Sequence, residues 1–396
     1  MKDKIFKVLS VFTGGGFLDI GFINNGFQIQ EAIEIDKAFI QGHNSGFDNY
    51  FKSSNNYYIK NHLIRNTPIT CPVDASAESE IKRLGKTHQN ICGVIGGPPC
   101  QDYSTGGKNA GATGDKGKLI FSYCKIIREV NPSFIVFENV TGLLNTKVHK
   151  EEGFDVLIKQ LGDLGYELWY DVLNALEYGL PQDRPRVVLV GFRKEIIETL
   201  TNAGYVLEKD NLKLKTNNLE NVVFQWPTII HQSPKKYKWP TKNIFGGKSP
   251  SGIVSLRSDI QYPMTVASAF DGLTKNTPNQ NEFFKPKSNK FNIIDEGDTN
   301  RKSFKRLHRH RYSPTVAYGN NEVHLHPTES RRLSVREALR LQTVPDEYIL
   351  PANMTLTAKF KLISNGVPTK KAELIAKEIR RTLLLWNKII LSNTQK

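Results

Sequence analysis

The sequence predicts an α/β fold with a doubly wound, largely parallel sheet, and two observations carry this prediction. Short, almost wholly apolar runs recur through the first half of the chain and alternate with segments of helical periodicity. Two of these runs end abruptly in glycines, as is typical of a strand that turns sharply into a helix. Strands that are apolar on both faces belong to sheets that helices cover on both sides.

The predicted elements alternate along the chain. Strands are predicted at residues 7–12, 30–35, 92–95, 134–137, 168–173 and 187–190. Helices are predicted at residues 17–25, 118–130, 154–164, 334–342 and 369–385. Ser334 is a suitable N-cap for the fourth helix, and Pro368 precedes the last. The stretch between the second and third strands is polar and of lower complexity, and we assign no element to it.

The composition and the hydrophobic periodicity of the sequence change after about residue 193. Asn, Lys, Ser, Pro and aromatic residues intermix there, and helical periodicity is lost until about residue 334. A chain of 396 residues is long enough for two or three domains. We therefore predict a first domain over residues 1–193, completed by residues 355–396, and a second, smaller domain over residues 194–354.

The composition is that of a globular protein with an excess of positive charge. It is 39% hydrophobic and 23% charged, which excludes disordered, collagenous and disulfide-scaffold classes. No apolar run reaches the roughly 18 residues of a membrane span, so neither a membrane segment nor a signal peptide is expected, and the expected location is the cytoplasm. The net charge is +15, and residues 231–311 hold 16 Lys/Arg against 6 Asp/Glu. Nucleic acid is the leading partner for this segment, and a solvated basic surface is the alternative.

Cysteine and histidine spacing does not indicate a metal site. The four cysteines, Cys71, Cys92, Cys100 and Cys124, form no paired motif, so neither a zinc ribbon nor a disulfide framework is predicted. Two His-x-His pairs lie at 308/310 and 324/326 without an accompanying carboxylate or thiolate cluster. We expect no metal and a reducing compartment.

A glycine turn follows the first predicted strand. It reads Phe12-Thr13-Gly14-Gly15-Gly16, and the acidic residues Glu34 and Asp36 follow about 20 residues later, at the end of the second strand. Glycines let the backbone approach a nucleotide-like ligand, and a carboxylate at that place can accept hydrogen bonds from ribose hydroxyls. The pattern favours an adenosyl cofactor; an ordinary tight turn with a surface acidic turn remains the alternative.

The third predicted strand ends in a rigid elbow that presents a cysteine. Gly96-Gly97-Pro98-Pro99 precedes Cys100, and core cysteines rarely follow such a turn, so a nucleophile is favoured over a buried structural cysteine. Glu138 follows the strand at 134–137, which places a carboxylate at the same edge of the sheet. Arg184 and Arg186 stand at i and i+2, on one face if the segment is extended.

Residues 101–118 are rich in glycine and lysine. Such a stretch cannot hold regular structure and is basic, which suits a lid that closes over a bound polyanion. A disordered surface loop is the competing interpretation.

These elements, in this order, resemble the cytosine-5 DNA methyltransferase family. The resemblance covers most of the chain outside about 194–311. It rests on the glycine turn and on five further motifs: Pro-Pro-Cys-Gln at 98–101, Glu-Asn-Val at 138–140, Gln-x-Arg-x-Arg at 182–186, Arg-Leu-Ser-Val-Arg-Glu-Ala-Leu-Arg-Leu-Gln at 332–342 and Asn-Gly-Val-Pro at 365–368. The chain departs from the family pattern at Phe17 and Ser364, where relatives commonly carry glycine.

The resemblance implies a Rossmann-like S-adenosylmethionine-dependent methyltransferase fold with a smaller DNA-recognition domain. Cys100 matches the nucleophile that adds to carbon 6 of cytosine, and Glu138 matches the carboxyl that hydrogen-bonds the ring. Arg186 matches the residue that holds the carbonyl oxygen of the base, with Arg184 as electrostatic support. S-adenosyl-L-methionine is the implied cofactor, and its implied contacts are Phe12, Thr13, Gly14, Gly16, Glu34, Asp36, Pro98, Asn365 and Val367. Asn61 and Asp74 are the candidates for an adenine contact.

The implied substrate is double-stranded DNA with the target cytosine flipped out of the stack. The stretch at 101–118, with Ser104 and Lys108, is the candidate lid over the base. Further DNA contacts are predicted from the densest basic residues of the variable region, namely Arg301, Lys302, Lys305, Arg306, Arg309 and Arg311. By analogy the enzyme acts as a monomer and is paired with a restriction endonuclease. An RNA-methylating relative and a non-catalytic DNA-binding relative are the competing hypotheses.

Overall fold

The computed structural model of the chain describes residues 4–53, 55, 69–70, 77–99, 119–207, 221–245, 260–316, 318 and 323–394. A seven-stranded sheet lies at its centre. The strands are β1 (Phe6–Val11), β2 (Phe27–Ile33), β3 (Ile69–Thr70), β4 (Gly93–Gly96), β5 (Phe134–Val140), β6 (Tyr166–Asn174) and β7 (Pro185–Arg193). No helix in these ranges is long and apolar enough to cross a membrane.

The strands lie in the spatial order β3-β2-β1-β4-β5-β7-β6. Neighbours from β3 to β5 pair in parallel, whereas β7 pairs antiparallel with both β5 and β6. Only ten residues join β6 to β7, and a parallel connection needs a longer crossover that usually contains a helix. The predicted α/β class with a largely parallel sheet is confirmed, and the antiparallel β7 follows from this short connection.

Helices cover both faces of the sheet. They are α1 (Phe17–Ile23), α2 (Lys37–Ser53), α3 (Glu78–Thr87), α4 (Leu119–Val130), α5 (Asp155–Asp163), α6 (Lys194–Asn202), α7 (Val335–Leu341), α8 (Leu356–Asn365) and α9 (Thr369–Thr394). Shorter helical turns lie at Gly142–Asn145, Lys147–His149, Lys150–Phe154, Ala175–Tyr178, Pro234–Lys236, Tyr262–Met264, Val266–Phe270 and Lys290–Ile293. One large apolar core fills each face of the sheet.

The sequence did not predict α2, α3, α6 or α8. Helix α2 buries Phe39, His43 and Phe47 at helical spacing, but its two glycines and two asparagines weaken the signal because they are poor helix formers. The structure shows why one of these glycines is present. A Cβ atom on Gly46 would lie 2.1 Å from the ring of Tyr348, so only glycine lets that ring approach the helix.

The long final helix packs against α1 in the first half of the chain. A Cβ atom on Gly21 would lie 2.4 Å from that of Ala372, and the Asn24 side chain donates a 2.7 Å hydrogen bond to Glu373. Every residue of α1 is buried beneath this contact.

Residues 194–354 do not share a single environment. Helix α6 packs against β6, β7 and α9, and α7, with its capping box of Ser334 and Glu337, lies in the main core. A separate small core contains Phe291, Ile294, Val323 and Leu325. It surrounds the short strands β8 (Lys305–Arg306) and β9 (His324–Leu325).

Candidate active site

A cavity of about 320 Å³ lies at the edge of the sheet where β1, β4 and β5 end and β7 begins. Parallel strands of doubly wound folds commonly form their ligand sites at this edge, and β1 and β4 are the strands at which the order reverses. Ten of the residues predicted from the sequence line the cavity: Phe12, Thr13, Gly14, Glu34, Pro98, Glu138, Arg184, Arg186, Asn365 and Val367.

The glycine turn is held open by Glu34. One carboxylate oxygen of Glu34 accepts a 2.8 Å hydrogen bond from the Gly14 amide, and the other accepts from the amides of Ile35 and Asp36. Gly14 has a φ of +59°, and Phe12 has a φ of +57°, which is uncommon for a residue with a side chain. The backbone of the turn is therefore fixed in a conformation that exposes it to the cavity.

Asp19 lies beneath the turn and was not among the site residues predicted from the sequence. Its carboxylate accepts hydrogen bonds from the hydroxyls of Ser10, at 2.7 Å, and Thr13. The Nε2 atom of His43 lies 3.6 Å from the same carboxylate, and the side chains of Asp19 and His43 are fully buried. The available signal was an acidic residue within an otherwise apolar helix, since a buried carboxylate needs partners of this kind.

Phe17 and Gly366 fit together in the opposite wall. A Cβ atom on Gly366 would lie 2.1 Å from the Phe17 ring, so the glycine provides the space that the ring occupies. The ring also packs edge-on against Tyr348, whose hydroxyl donates a 2.7 Å hydrogen bond to the Gly15 carbonyl. The departure from the family pattern at position 17 is thus accommodated by a residue in the last part of the chain.

Arg184 connects this wall to the sheet. Its buried guanidinium donates to the carbonyl oxygens of Ser364 at 2.7 Å, Gly366 at 2.8 Å and Val316 at 3.0 Å. These bonds hold the backbone on both sides of Asn365, so the geometry gives Arg184 a positioning role.

Glu138 and Arg186 lie next to each other on the cavity floor. Arg186 pairs with Val140 in the sheet register, which makes Arg186 and Glu138 diagonal neighbours on one face. The Arg186 Nε atom is 3.5 Å from a Glu138 carboxylate oxygen, and both side chains are largely buried. That oxygen has no hydrogen-bond partner within the described ranges. The Glu138 carboxylate and the Arg186 guanidinium thus face the same cavity and can form further hydrogen bonds with a ligand there.

The floor is joined to the elbow that precedes Cys100. The side-chain amide of Asn139 donates a 3.2 Å hydrogen bond to the Pro98 carbonyl. A Cβ atom on Gly97 would lie 3.3 Å from the Glu138 carboxylate, so the elbow passes close to that group.

Two predicted cofactor residues lie outside the cavity lining. Gly16 begins α1 with a φ of +71°, and a Cβ atom there would meet the rings of His43 and Phe47. Asp36 accepts a hydrogen bond from the Ala38 amide near the start of α2 and forms a 3.2 Å ion pair with Lys361. Both residues position neighbouring helices.

Cys100, Ser104, Lys108, Asn61 and Asp74 lie outside the described residues, so their roles stay predictions. The described cysteines, Cys92 and Cys124, have different properties. Burial raises the pKa of each thiol to about 12, so both stay protonated at neutral pH and neither is a nucleophile.

The prediction that Arg306 contacts DNA is wrong. Its side chain is fully buried, and its guanidinium donates to the carbonyl oxygens of Phe291, Ile294, His326 and Glu329 while it stacks on the Phe245 ring. Burial lowers the pKa of Arg306 to about 10. Its donors are used to join the two sides of the small core.

The other basic residues of this segment reach the surface in different degrees. Arg309 forms a two-pronged ion pair with Glu296, at 2.9 and 3.0 Å. Arg301 is 3.2 Å from Asp298, and Arg311 lies over the Tyr312 ring. Lys302 is exposed, and Lys305 is half-buried. Their contacts with DNA stay predictions.

Comparison with known proteins identifies the family. The model of the family described as C-5 cytosine-specific DNA methylase matches residues 6–381. The Type II methyltransferase M.NmeDI of Neisseria meningitidis serogroup C is 39% identical over 389 residues, covering 96% of this chain and 85% of its own length. M.FnuDI of Fusobacterium nucleatum, also a Type II methyltransferase, is 28% identical over 392 residues, covering 97% and 96% of the two chains.

Solved structures show the same fold. A protein encoded within an Escherichia coli prophage, described as a DNA modification methyltransferase, superposes with a TM-score of 0.61 at 20% identity over 96% of this chain and 99% of its own. The S. pombe Dnmt2 methyltransferase gives a TM-score of 0.56 at 15% identity over 96% and 98%. The family match and the M.NmeDI similarity each extend over nearly the whole sequence, so the chain belongs to the C-5 cytosine-specific DNA methylase family.

Proposed function

We propose that this DNA cytosine-5 methyltransferase binds S-adenosyl-L-methionine beside the glycine turn and presents Glu138 and Arg186 to a cytosine flipped out of duplex DNA. The observation that carries the proposal is the convergence of these two groups with the glycine turn on one cavity. The cofactor and the flipped cytosine would then bind next to each other without a large rearrangement of the sheet edge.

The residues of the cavity fit an adenosyl cofactor. Apolar side chains, including Phe17, Ile33, Phe39 and Val367, line it together with the exposed backbone of the glycine turn. Glu34 supplies a carboxylate at the end of β2, where a ribose hydroxyl can donate to it. A volume of about 320 Å³ is at the lower end of the range for small-molecule sites. When bound, S-adenosyl-L-methionine supplies an electrophilic methyl group.

The cytosine ring needs activation before it can accept a methyl group, because its carbon 5 is a poor nucleophile. By resemblance to the family, the Cys100 thiolate adds to carbon 6 and makes carbon 5 electron-rich; once carbon 5 carries the methyl group, loss of the carbon 5 proton and elimination of the Cys100 thiolate restore the ring. We propose that the Glu138 carboxyl hydrogen-bonds ring nitrogen 3 and the exocyclic amine, and that Arg186 holds the carbonyl oxygen. Both groups then stabilise charge that develops on the ring in a largely buried site, where such contacts are strongest.

Arg184 is assigned a different part. Its hydrogen bonds to the Ser364 and Gly366 carbonyls fix that wall, and a third joins it to the Val316 carbonyl, so we propose that Arg184 positions Asn365 and Val367 and does not touch the base.

The partner and context are proposed on the relatives' names. M.NmeDI and M.FnuDI are both named as Type II methyltransferases, which supports a modification enzyme paired with a restriction endonuclease. We propose that it acts as a monomer in the cytoplasm, that residues 194–354 recognise the target sequence, and that residues 101–118, with Ser104 and Lys108, cover the flipped base.

A methyl-transfer assay tests this proposal. Purified protein is incubated with methyl-tritiated S-adenosyl-L-methionine and with duplex DNA and tRNA in competition. We expect label in the DNA, no label with Cys100→Ala, and cofactor affinity of that variant within about threefold of the wild type. Turnover by Cys100→Ala would contradict the mechanism, and label in the tRNA alone would contradict the substrate.

A further inference from the structure

Asp19 is a buried carboxylate at the base of the cavity, and the proposed function does not yet use it. Its side chain has no exposed surface, and together with Ser10 and Thr13 it forms part of the cavity wall. The Ser10 hydroxyl donates a 2.7 Å hydrogen bond to one carboxylate oxygen, and the Thr13 hydroxyl donates to the other. Asp19 is therefore one hydrogen bond away from Thr13, whose half-buried side chain borders the cavity.

In the described part of the chain, Asp19 has no lysine or arginine partner. The basic side chain within 4 Å of its carboxylate is that of His43, whose Nε2 atom lies 3.6 Å away and forms no hydrogen bond. The His43 ring is held in place by Gly16 and by the Phe47 ring, whose centroid is 4.3 Å away. Buried charges in proteins are normally paired, and hydroxyl groups supply hydrogen bonds but no opposite charge. The protein thus leaves this carboxylate without a permanently charged partner.

The strand order places Asp19 between the two ends of the proposed reaction. Glu34 follows β2, the glycine turn with Thr13 follows β1, and Glu138 lies in the last part of β5. Strand β1 lies between β2 and β5 in the sheet. A cofactor with its ribose at Glu34 and its methyl group directed toward a base at Glu138 therefore has its sulfur across the end of β1. In S-adenosyl-L-methionine this sulfur carries a positive charge, which is lost when the methyl group is transferred.

We propose that Asp19 is a positioning residue that distinguishes the cofactor from its demethylated product by charge. This rests on the proposed cofactor site beside the glycine turn. At most the Thr13 side chain separates the carboxylate from the cavity, and a buried charge acts over such a distance because little water screens it. The site therefore favours a ligand with a positive charge at the sulfur position over S-adenosyl-L-homocysteine, which has none there. Methyl transfer removes that charge and so weakens the binding of the product.

Calorimetric titrations without DNA test the proposal and do not depend on methyl transfer. The probes are S-adenosyl-L-methionine, S-adenosyl-L-homocysteine and sinefungin, in which a carbon that carries an amine replaces the methylated sulfur and keeps a positive charge there. Each is titrated into the wild type and into Asp19→Asn, which keeps the size of the side chain and removes its charge. Asp48→Asn, at an exposed site on α2, is the matched control.

We expect Asp19→Asn to weaken the binding of S-adenosyl-L-methionine and sinefungin at least tenfold, and that of S-adenosyl-L-homocysteine less than threefold. The preference for each charged ligand, measured as a ratio of Kd values, then falls at least threefold. A smaller fall, whether all three ligands lose affinity equally or none does, would overturn the proposal. Asp48→Asn should leave all three affinities within twofold of the wild type.

Ser10→Ala separates the charge of Asp19 from the shape of the turn. This substitution removes one hydrogen bond to the carboxylate and leaves its charge, so any loss of affinity should be the same for the three ligands. Asp19→Glu should likewise keep the preference for charged ligands, because it keeps the charge. A preference that falls threefold or more in Asp19→Glu would overturn the proposal.

The titrations also separate this inference from the cofactor site on which it rests. A wild type that bound none of the three ligands would contradict the proposed site itself, whereas a wild type that bound them all, with the preference unchanged in Asp19→Asn, would contradict only the role of Asp19. If Asp19→Asn does not fold, Ser10→Ala/Asp19→Asn takes its place with Ser10→Ala as reference, because it also removes the hydroxyl that would face the new amide.

Discussion

The edge of the sheet and the basic segment at 231–311 differ in how well the sequence predicts where a side chain points. At the edge, Glu138 and Arg186 extend from regular strands and lie 3.5 Å apart. In the basic segment, basic residues that are close in the sequence differ in solvent exposure, since Arg306 is buried and Lys302 is exposed. Pairing of long strands in the central sheet fixes which face a residue occupies, whereas the charge of the basic segment, which has only two-residue strands, does not predict which of its side chains are exposed.

At the edge of the sheet, the largest loss of methyl-transfer activity is expected on substitution of Glu138. Glu138→Gln removes the charge and the proton that the carboxyl can carry, and we expect methyl transfer to fall by roughly 100-fold or more, as for loss of other groups that stabilise developing charge. Cofactor affinity should stay within about threefold, because the cofactor residues are unchanged. Glu151→Gln, at an exposed site, is the control. Activity within tenfold of the wild type would contradict the role of Glu138.

In the basic segment, a substitution of Arg306 tests whether this residue stabilises the small core. Arg306→Ala leaves four carbonyl oxygens of the small core without their donor, so the free energy of unfolding should fall by about 3 kcal/mol or more. Chemical denaturation measures this change, with Lys302→Ala as the control that should not alter stability. An Arg306→Ala protein of unchanged stability but weaker DNA binding would restore the original DNA-contact interpretation.

Gly366 tests the wall that completes the cavity. A Cβ atom there overlaps the Phe17 ring, so Gly366→Ala should cost about 1 to 3 kcal/mol and weaken cofactor binding measured by calorimetry. Adding Phe17→Leu should recover at least half of both losses. Gly162→Ala in α5 meets open space and should be neutral or slightly stabilising. Failure of the second substitution to recover either property would contradict the proposed fit.

The smallest effect is expected at Lys302. Lys302→Ala removes one exposed charge, so stability should change by less than about 0.5 kcal/mol. If the residue contacts a phosphate, DNA binding should weaken equally for all sequences, and the slope of log affinity against log salt should fall by about 1. Titrations at several salt concentrations measure this slope. An unchanged slope would show that Lys302 is a solvated surface residue that does not contact DNA.

What could be predicted follows from this difference between regular and irregular chain. Apolar runs of strand length predicted the α/β class, and residues directly after them, such as Glu34 and Glu138, reached the cavity because strand ends of a parallel sheet meet at one edge. Helix α2 was missed because glycine weakens the helical pattern, and one of its glycines, Gly46, serves a close contact with Tyr348, which lies more than 300 residues away in the sequence. The burial of Arg306 could not be predicted from the sequence for a similar reason, since only distant packing decides that a basic side chain is buried.

The most direct test of the central claim is to express the protein in a strain that lacks cytosine methylation and to sequence its genomic DNA after bisulfite treatment. We expect protection of a single cytosine within one short sequence motif, and full conversion in a parallel culture that expresses Cys100→Ala. Uniform conversion with folded wild-type protein, or protection that persists with Cys100→Ala, would contradict it.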